Sequence, residues 1–313
     1  MNGLQLAEEY YKEFGESMLR EQFPGLLDKI AVGLVGSGSE CFGYDDEVST
    51  DHDFEPGFCI FIPGEEELDS RSEFQLERAY AKLPKEFKGF ERAMVSPVGG
   101  NRHGVIRMND FFKNKLGTES GELSLMDWLR IPEYSILEVT NGRLFYDGSG
   151  KMTAVREVLQ NMPEDIRRKK LAGHLLTMAQ AGQYNYFRSI KRGDYGAAQL
   201  AVFEFVQSGI QVVYSLNGAL KPYYKWAFRG MKDLQILPEL AVVFEDLIST
   251  GNEDDMARKK GNAIEETAAV IIGELRKQNL TELSCNDLEK HAYSVNDSVK
   301  DTNIRYLNIF AAV

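Results

Sequence analysis

Residues 31–39 read Ala31-Val32-Gly33-Leu34-Val35-Gly36-Ser37-Gly38-Ser39. An apolar run with β-branched residues that stops at glycine and serine is typical of a buried strand entering a turn. A second strand is predicted at residues 57–62, because the apolar run there is closed by Pro63 and Gly64. Strand, Gly-Ser turn, loop and second strand together predict the core of a sheet in the first half of the chain.

Asp51 and Asp53 lie between this turn and the second strand. Side chains one residue apart on an extended segment point to the same face, so the two carboxylates can share one cation. Mg²⁺ is commonly held by one or two carboxylates plus substrate phosphates, and we expect Mg²⁺ or Mn²⁺ here. The alternative is a solvated turn that holds no metal.

The turn itself offers groups that bind phosphate. Glycine at position 36 permits close approach of the backbone, and the N–H groups and hydroxyls of Ser37 and Ser39 can hold the outer phosphates of a nucleotide. The alternative is a plain β-turn whose serines cap a helix.

These residues resemble a known family. Val35-Gly36-Ser37 and Thr50-Asp51-His52-Asp53-Phe54 are similar to the signature of the nucleotidyltransferases of the DNA polymerase β-like superfamily, a Gly-Ser turn followed by a loop and a D-x-D strand. Residues 214–226 resemble the helical domain of the kanamycin and other aminoglycoside nucleotidyltransferases.

The resemblance implies an α+β fold, with a nucleotidyltransferase mixed sheet flanked by helices in residues 1–150 and an α-helical bundle for substrate and nucleotide in residues 151–313. It implies transfer of a nucleoside monophosphate from a triphosphate, for which ATP is expected, to a hydroxyl of a small-molecule acceptor, with release of pyrophosphate. Two alternatives stay open: a noncatalytic nucleotide-binding regulator, and a protein-modifying nucleotidyltransferase of a toxin–antitoxin type.

In that family a third acidic residue completes the site, and two candidates stand out. Glu138 lies in a predicted strand at residues 136–139, where a buried carboxylate needs a partner such as a cation or a bound hydroxyl. The alternative for Glu138 is the solvent face of an edge strand. Glu204, in the helical half, is the second candidate for the base that acts on the acceptor.

Cationic and aromatic groups of the second half are candidates for contacts with the triphosphate and the base. Arg188 and Lys191 lie near a predicted helix end, and Lys225 follows two tyrosines, of which Tyr224 is adjacent. The alternative is that these side chains are merely solvated.

Periodic apolar residues predict helices along most of the chain. The predicted helices cover residues 4–22, 66–82, 153–161, 164–192, 195–217, 222–233, 238–249, 253–278 and 285–293, and further strand candidates are 105–108 and a hairpin after Asn141-Gly142. No pattern is assigned beyond residue 295.

The formal net charge of −12 over 313 residues disfavours DNA as a partner, because a polyanion would be repelled from most of the surface. Three cysteines without C-x-x-C spacing and four scattered histidines indicate neither a disulfide framework nor a zinc site. Neither a leader peptide nor a long apolar run is recognised, so a cytoplasmic protein without a membrane partner is expected.

Overall fold

The computed structural model describes residues 1–47, 55–92 and 103–313 of an α+β chain with one small mixed sheet and a helical second half. This architecture confirms the predicted fold class. The strands are β1 (Ala31–Leu34), β2 (Cys59–Ile62), β3 (Glu86–Phe87), β4 (Phe90–Glu91), β5 (Gly104–Arg107) and β6 (Arg143–Asp147).

The main sheet has the order β5-β2-β1-β6. β1 runs antiparallel to both β2 and β6, whereas β5 runs parallel to β2 with Gly104 opposite Cys59. β1 and β2 are buried along their whole length, as expected for central strands covered on both faces. β3 and β4 form a separate two-stranded hairpin.

Helices make up most of the rest. They are α1 (Gly3–Tyr10), α2 (Glu16–Gln22), α3 (Ser39–Phe42), α4 (Ser70–Ala81), α5 (Met108–Leu116), α6 (Leu125–Arg130), α7 (Glu133–Thr140), α8 (Lys151–Leu159), α9 (Glu164–Met178), α10 (Phe187–Lys191), α11 (Tyr195–Leu216), α12 (Tyr224–Lys232), α13 (Leu240–Ser249), α14 (Asp254–Lys277), α15 (Leu288–Asp297) and α16 (Thr302–Arg305). Two π-helical segments, Tyr11–Gly15 and Ala179–Tyr186, connect α1 to α2 and α9 to α10. None of the helices in the described ranges is both long and apolar enough to cross a membrane.

The chain divides into two compact units. The first contains Met1–Ser124 and Ser135–Asn161, and the second contains Leu125–Tyr134 and Met162–Val313. α8 therefore belongs with the first unit, and α6 with the second. The roles predicted for the two domains stay predictions.

Each unit has its own apolar core. In the first, Tyr10 and Phe58 are fully buried with ring centroids 5.9 Å apart, joining α1 to the segment that leads into β2. In the second, Phe205 of α11 packs edge-on against Phe244 of α13 at 6.4 Å. Buried aromatic side chains of this size supply much of the driving force for folding.

The predicted strand at residues 136–139 is wrong, because these residues belong to α7. The fully buried apolar residues of α7, Ile136 and Val139, are three residues apart, as on one face of a helix. A short apolar run cannot distinguish strand from helix by itself. Asn141-Gly142 consequently joins a helix to β6, and the predicted hairpin at this point is also wrong.

The other differences concern short elements. α5 and α6 carry too few apolar repeats to be recognised in the sequence, and α16 lies beyond residue 295, where no pattern was assigned. The long helix predicted at residues 164–192 is α9, a π-helical segment and α10. α11 to α15 lie where helices are predicted, with α15 beginning three residues later than expected and ending four residues later.

Candidate functional site

The predicted metal pair, Asp51 and Asp53, lies outside the described residues. The described chain resumes at Glu55, two residues after Asp53 and four before β2. Within the described ranges no group of three or more His, Cys, Asp or Glu side chains is arranged to hold a metal ion. The site is therefore built from the groups around the Gly-Ser turn.

The Gly-Ser turn follows directly on β1 and leads into α3. Gly36 has φ +130°, a conformation that residues with a side chain rarely adopt. Gly38 is extended and precedes Ser39, the first residue of α3, without a side-chain cap. Ser37 is exposed and Ser39 half-buried, and neither hydroxyl has a hydrogen-bond partner among the described residues. The turn thus presents two hydroxyls at the start of a helix.

Asn141 fixes the shape of this turn. The Gly36 N–H donates to Asn141 Oδ1 at 3.0 Å, and Asn141 Nδ2 donates to the Gly36 carbonyl at 2.6 Å. The next residue, Gly142, donates its N–H to the Cys41 carbonyl of α3 at 2.8 Å. Asn141 and Gly142 therefore hold both ends of the turn, and we call these two residues the turn clamp.

The clamp could not be predicted from the sequence, because Asn-Gly is the strongest short-range signal for a hairpin. Gly142 has φ +59°, and a Cβ on it would lie 2.0 Å from the carbonyl oxygen of Leu34. Glycine at this position thus serves the close approach of the α7–β6 connection to the end of β1. The sequence signal for the clamp is a turn pair, Asn141-Gly142, that follows a helix.

Glu40 is a buried acid next to the turn. It lies in the first turn of α3, and a Cβ on Gly38 would come within 2.0 Å of its Oε1. Burial, and to a smaller degree the charge of Glu40, raises the pKa of the Cys59 thiol on β2 to about 12. The carboxylate is favoured there by the partial positive charge of the helix start.

Glu55 and His103 form a second pair that the sequence analysis missed. His103 Nδ1 lies 3.0 Å from Glu55 Oε1, and the two side chains are 8% and 20% exposed. The parallel register of β2 and β5 brings the residues that precede the two strands together. Gly57 makes room for the imidazole, because a Cβ there would be 2.6 Å from His103 Cγ. An imidazole oriented by a carboxylate can accept a proton from a hydroxyl.

The two predicted acids lie on helices. Glu138 is on α7, largely buried, and its Oε2 accepts a hydrogen bond from Lys115 Nζ at 2.5 Å. The expected partner of this buried carboxylate is thus a lysine of α5. Glu204 is exposed on α11 in the second unit.

Arg188 and Lys191 lie on α10 and are exposed. The Arg188 guanidinium lies 4.8 Å from the ring centroid of Tyr184 and also donates to the Tyr184 hydroxyl. Lys191 is the last residue of the helix. The two cations are therefore neighbours on a solvent-facing helix.

Tyr224 and Lys225 begin α12. Tyr224 is 72% exposed, and its ring centroid lies 4.4 Å from that of Tyr223. Lys225 Nζ lies 4.9 Å from the ring centroid of Trp226. This cluster is a surface feature of the second unit, and its predicted contacts with nucleotide stay predictions.

Comparison with known proteins gives two matches. A family model described as a domain of unknown function, DUF4037, matches residues 128–227. The chain is also similar to a crystal structure of a nucleotidyltransferase-like protein from Exiguobacterium sibiricum 255-15, with 13% identity over 90% of this chain and 80% of that chain and a TM-score of 0.38. No curated protein matches the sequence.

Proposed function

We propose that the protein is a nucleotidyltransferase. A hydroxyl oxygen of the acceptor attacks the α-phosphorus of the nucleoside triphosphate, for which we propose ATP, and forms the new P–O bond. The bond from the α-phosphorus to the bridging oxygen breaks, pyrophosphate leaves, and the hydroxyl proton passes to a basic side chain. The acceptor is a small molecule.

The clamped Gly-Ser turn is the observation that carries this proposal. The Asn141 side chain accepts a hydrogen bond from the Gly36 N–H and donates one to the Gly36 carbonyl. These two bonds fix the backbone of a glycine, which otherwise has wide conformational freedom. Neither the Ser37 nor the Ser39 hydroxyl is bonded to any residue that the structure describes, and both can donate to phosphate oxygens. A rigid set of donors stabilises charge without reorganising during the reaction.

A divalent cation is part of the proposal because of the donor chemistry. Asp51 and Asp53 would hold Mg²⁺ or Mn²⁺, which neutralises phosphate charge that an acidic chain would otherwise repel. In the second unit, Arg188, Lys191 and the Tyr224–Lys225 pair are the proposed additional contacts with the nucleotide.

Three groups are candidates for the base: Glu138, Glu204 and the pair of His103 with Glu55. Lys115 already occupies one oxygen of Glu138. The geometry favours His103, because its carboxylate partner follows Asp53 by two residues and fixes the orientation of the ring.

A noncatalytic nucleotide-binding protein is the second candidate function. β5 pairs with β2, yet it contains no carboxylate, and its Arg107 is bound to Glu73 and to two main-chain carbonyls. The lack of a carboxylate on β5 favours binding over turnover.

ATP labelled at the α-phosphate tests these candidates. The label should move to a hydroxyl acceptor from a panel that includes aminoglycosides, with release of pyrophosphate that depends on Mg²⁺. Asp51→Asn and Asp53→Asn should each reduce the rate at least about 10²-fold, as does removal of a key electrostatic group in other enzymes. Asp28→Asn, which changes an exposed aspartate of the same unit, is the matched control.

The other outcomes separate the alternatives. Saturable ATP binding without turnover on any acceptor would favour the noncatalytic protein, and label on a protein band would identify a protein-modifying enzyme. An absence of nucleotide binding with and without Mg²⁺ would refute the proposal. Thermal shift is a sensitive readout, because ligand at 100 times its Kd adds about 2.7 kcal/mol of apparent stability.

A further inference from the structure

The second unit contains a pocket of about 380 Å³ that the proposed transfer reaction does not use. Its walls come from residues 129–134 at the junction of α6 and α7, from α9 and α11, from Lys221 and from residues 311–313. The polar lining side chains Arg130, Glu133, Lys170, His174, Gln211 and Lys221 all fall in the range matched by the DUF4037 model. A concave site of this size with a few converging polar groups is the usual form of a small-ligand site.

Glu133 organises the floor of this pocket. Its Oε2 accepts hydrogen bonds from Gln211 Nε2 at 2.8 Å and from the Lys221 backbone N–H at 2.9 Å. Its Oε1 lies 3.4 Å from Lys170 Nζ, and both of these side chains are 6% exposed. Among the described residues of the lining, Glu133 is the only acidic side chain, and groups of the protein contact both of its oxygens.

The cations outnumber this single acid. Lys170 and Lys221 stand beside Glu133, and Arg130 adds a third positive group at the rim. The Lys221 ammonium group has no hydrogen bond or ion pair among the described residues. An ammonium group taken out of water without an anion is costly, and an anionic ligand removes that cost.

His174 adds a neutral polar group. It lies one helical turn after Lys170 on α9, and its Nδ1 is 3.4 Å from Ser208 Oγ. Burial and the two lysines lower the pKa of His174 to about 3. At neutral pH the imidazole is uncharged, so it can donate a hydrogen bond to a ligand without adding charge.

We propose that this pocket binds a small oxyanion, the phosphate or carboxylate group of a metabolite, through Lys170, Lys221 and His174. The lining side chains carry an excess of two positive charges at neutral pH, which balances a phosphate monoester or one or two carboxylates. All the described residues that line this pocket belong to the second unit, whereas the Gly-Ser turn proposed to bind the nucleotide belongs to the first. The oxyanion is thus a ligand separate from the proposed nucleotide substrate.

Isothermal titration of the full chain with inorganic phosphate and, separately, with acetate tests the proposal and distinguishes the two sources of oxyanion. Both titrations are made without nucleotide or divalent metal, so failure of the transferase proposal leaves them unaffected. Phosphate or acetate, whichever binds the parent protein, should bind Lys221→Gln about tenfold or more weakly. Hydrogen bonds to charged groups are stronger than those between neutral groups. Lys259→Gln makes the same change on an exposed face of α14 and should bind like the parent protein.

A second measurement does not depend on the variants folding. In the unmodified protein, phosphate or acetate should shift the imidazole NMR signals of His174 saturably. The signals of His291, which is buried against Thr281 and the Cys285 carbonyl, should not move. Equal affinities in Lys221→Gln and Lys259→Gln, or an unresponsive His174 at tens of millimolar of both probes, would overturn the proposal.

Discussion

His174 makes the stability of the second unit depend on pH in a range where few other side chains titrate. Its pKa is about 3 in the folded chain, because burial and the charges of Lys221 and Lys170 disfavour the imidazolium. In the unfolded chain the pKa returns to about 6.5. The unfolded state therefore binds the additional proton first as pH falls, and the stabilisation present above about pH 6.5 is lost on acidification.

The magnitude follows from these two pKa values. Between about pH 7 and about pH 5 a single histidine of this kind lowers the free energy of unfolding by about 2 kcal/mol. The parent protein should show this loss in addition to whatever its other groups contribute. His174→Gln should lack it, so the difference between the two proteins isolates one proton.

Tryptophan fluorescence is a suitable readout, because both tryptophans, Trp128 and Trp226, belong to the second unit. Urea unfolding is followed at several pH values in amine buffers. Phosphate and carboxylate buffers are avoided, because these anions would occupy the proposed pocket and raise the pKa of His174. NMR of the His174 ring gives an independent test. Parallel pH profiles of the two proteins, or a ring that titrates near its ordinary pKa, would refute the reasoning.

Three further changes test the clamp and the second core. Asn141→Asp keeps the acceptor for the Gly36 N–H but puts a carboxylate against the Gly36 carbonyl. Nucleotide binding, measured by calorimetry, should weaken. The free energy of unfolding, measured by urea titration, should fall by about 1 to 3 kcal/mol. Gly142→Ala should destabilise the chain by at least about 2 kcal/mol more than Gly150→Ala. The reason is that Gly150 has a similar φ but open space around it. Equal melting temperatures of the two variants would contradict this expectation. Lys169→Met removes an ammonium group that donates to one side-chain and two main-chain oxygens. The free energy of unfolding in urea should fall by about 2 kcal/mol. Unchanged stability would contradict this expectation.

The sequence predicted those parts of the fold that depend on local pattern. β1 and β2 follow from apolar runs closed by glycine, serine or proline, and α11 follows from its regular apolar spacing. α7 was misassigned because four apolar-rich residues fit either period, and only the packing of Ile136 and Val139 decides for a helix.

The candidate site was predictable only where its residues are close in sequence. Gly36 and Ser37 belong to a continuous motif, whereas Asn141 reaches Gly36 across 105 residues. The pair of Glu55 and His103 depends on the parallel register of β2 and β5, which no single segment encodes. Lys170 lies one helical turn before His174 on α9, but Lys221 comes close to His174 only through the packing of helices, so the sequence does not distinguish this histidine from the others.

The two proposed sites hold anions by different physical means, and this allows them to be separated. The chain carries a net charge of −12, so we expect the proposed phosphate binding near Asp51 and Asp53 to depend on a divalent cation. The pocket of the second unit is proposed to use the buried Lys170 and the half-buried Lys221 instead. A chelator should therefore abolish ATP binding and leave the binding of phosphate or acetate unchanged, whereas Lys221→Gln should do the reverse. If the chelator or Lys221→Gln abolishes both ATP binding and the binding of phosphate or acetate, the two sites are energetically coupled. The effect of Lys221→Gln would then include an effect on nucleotide binding.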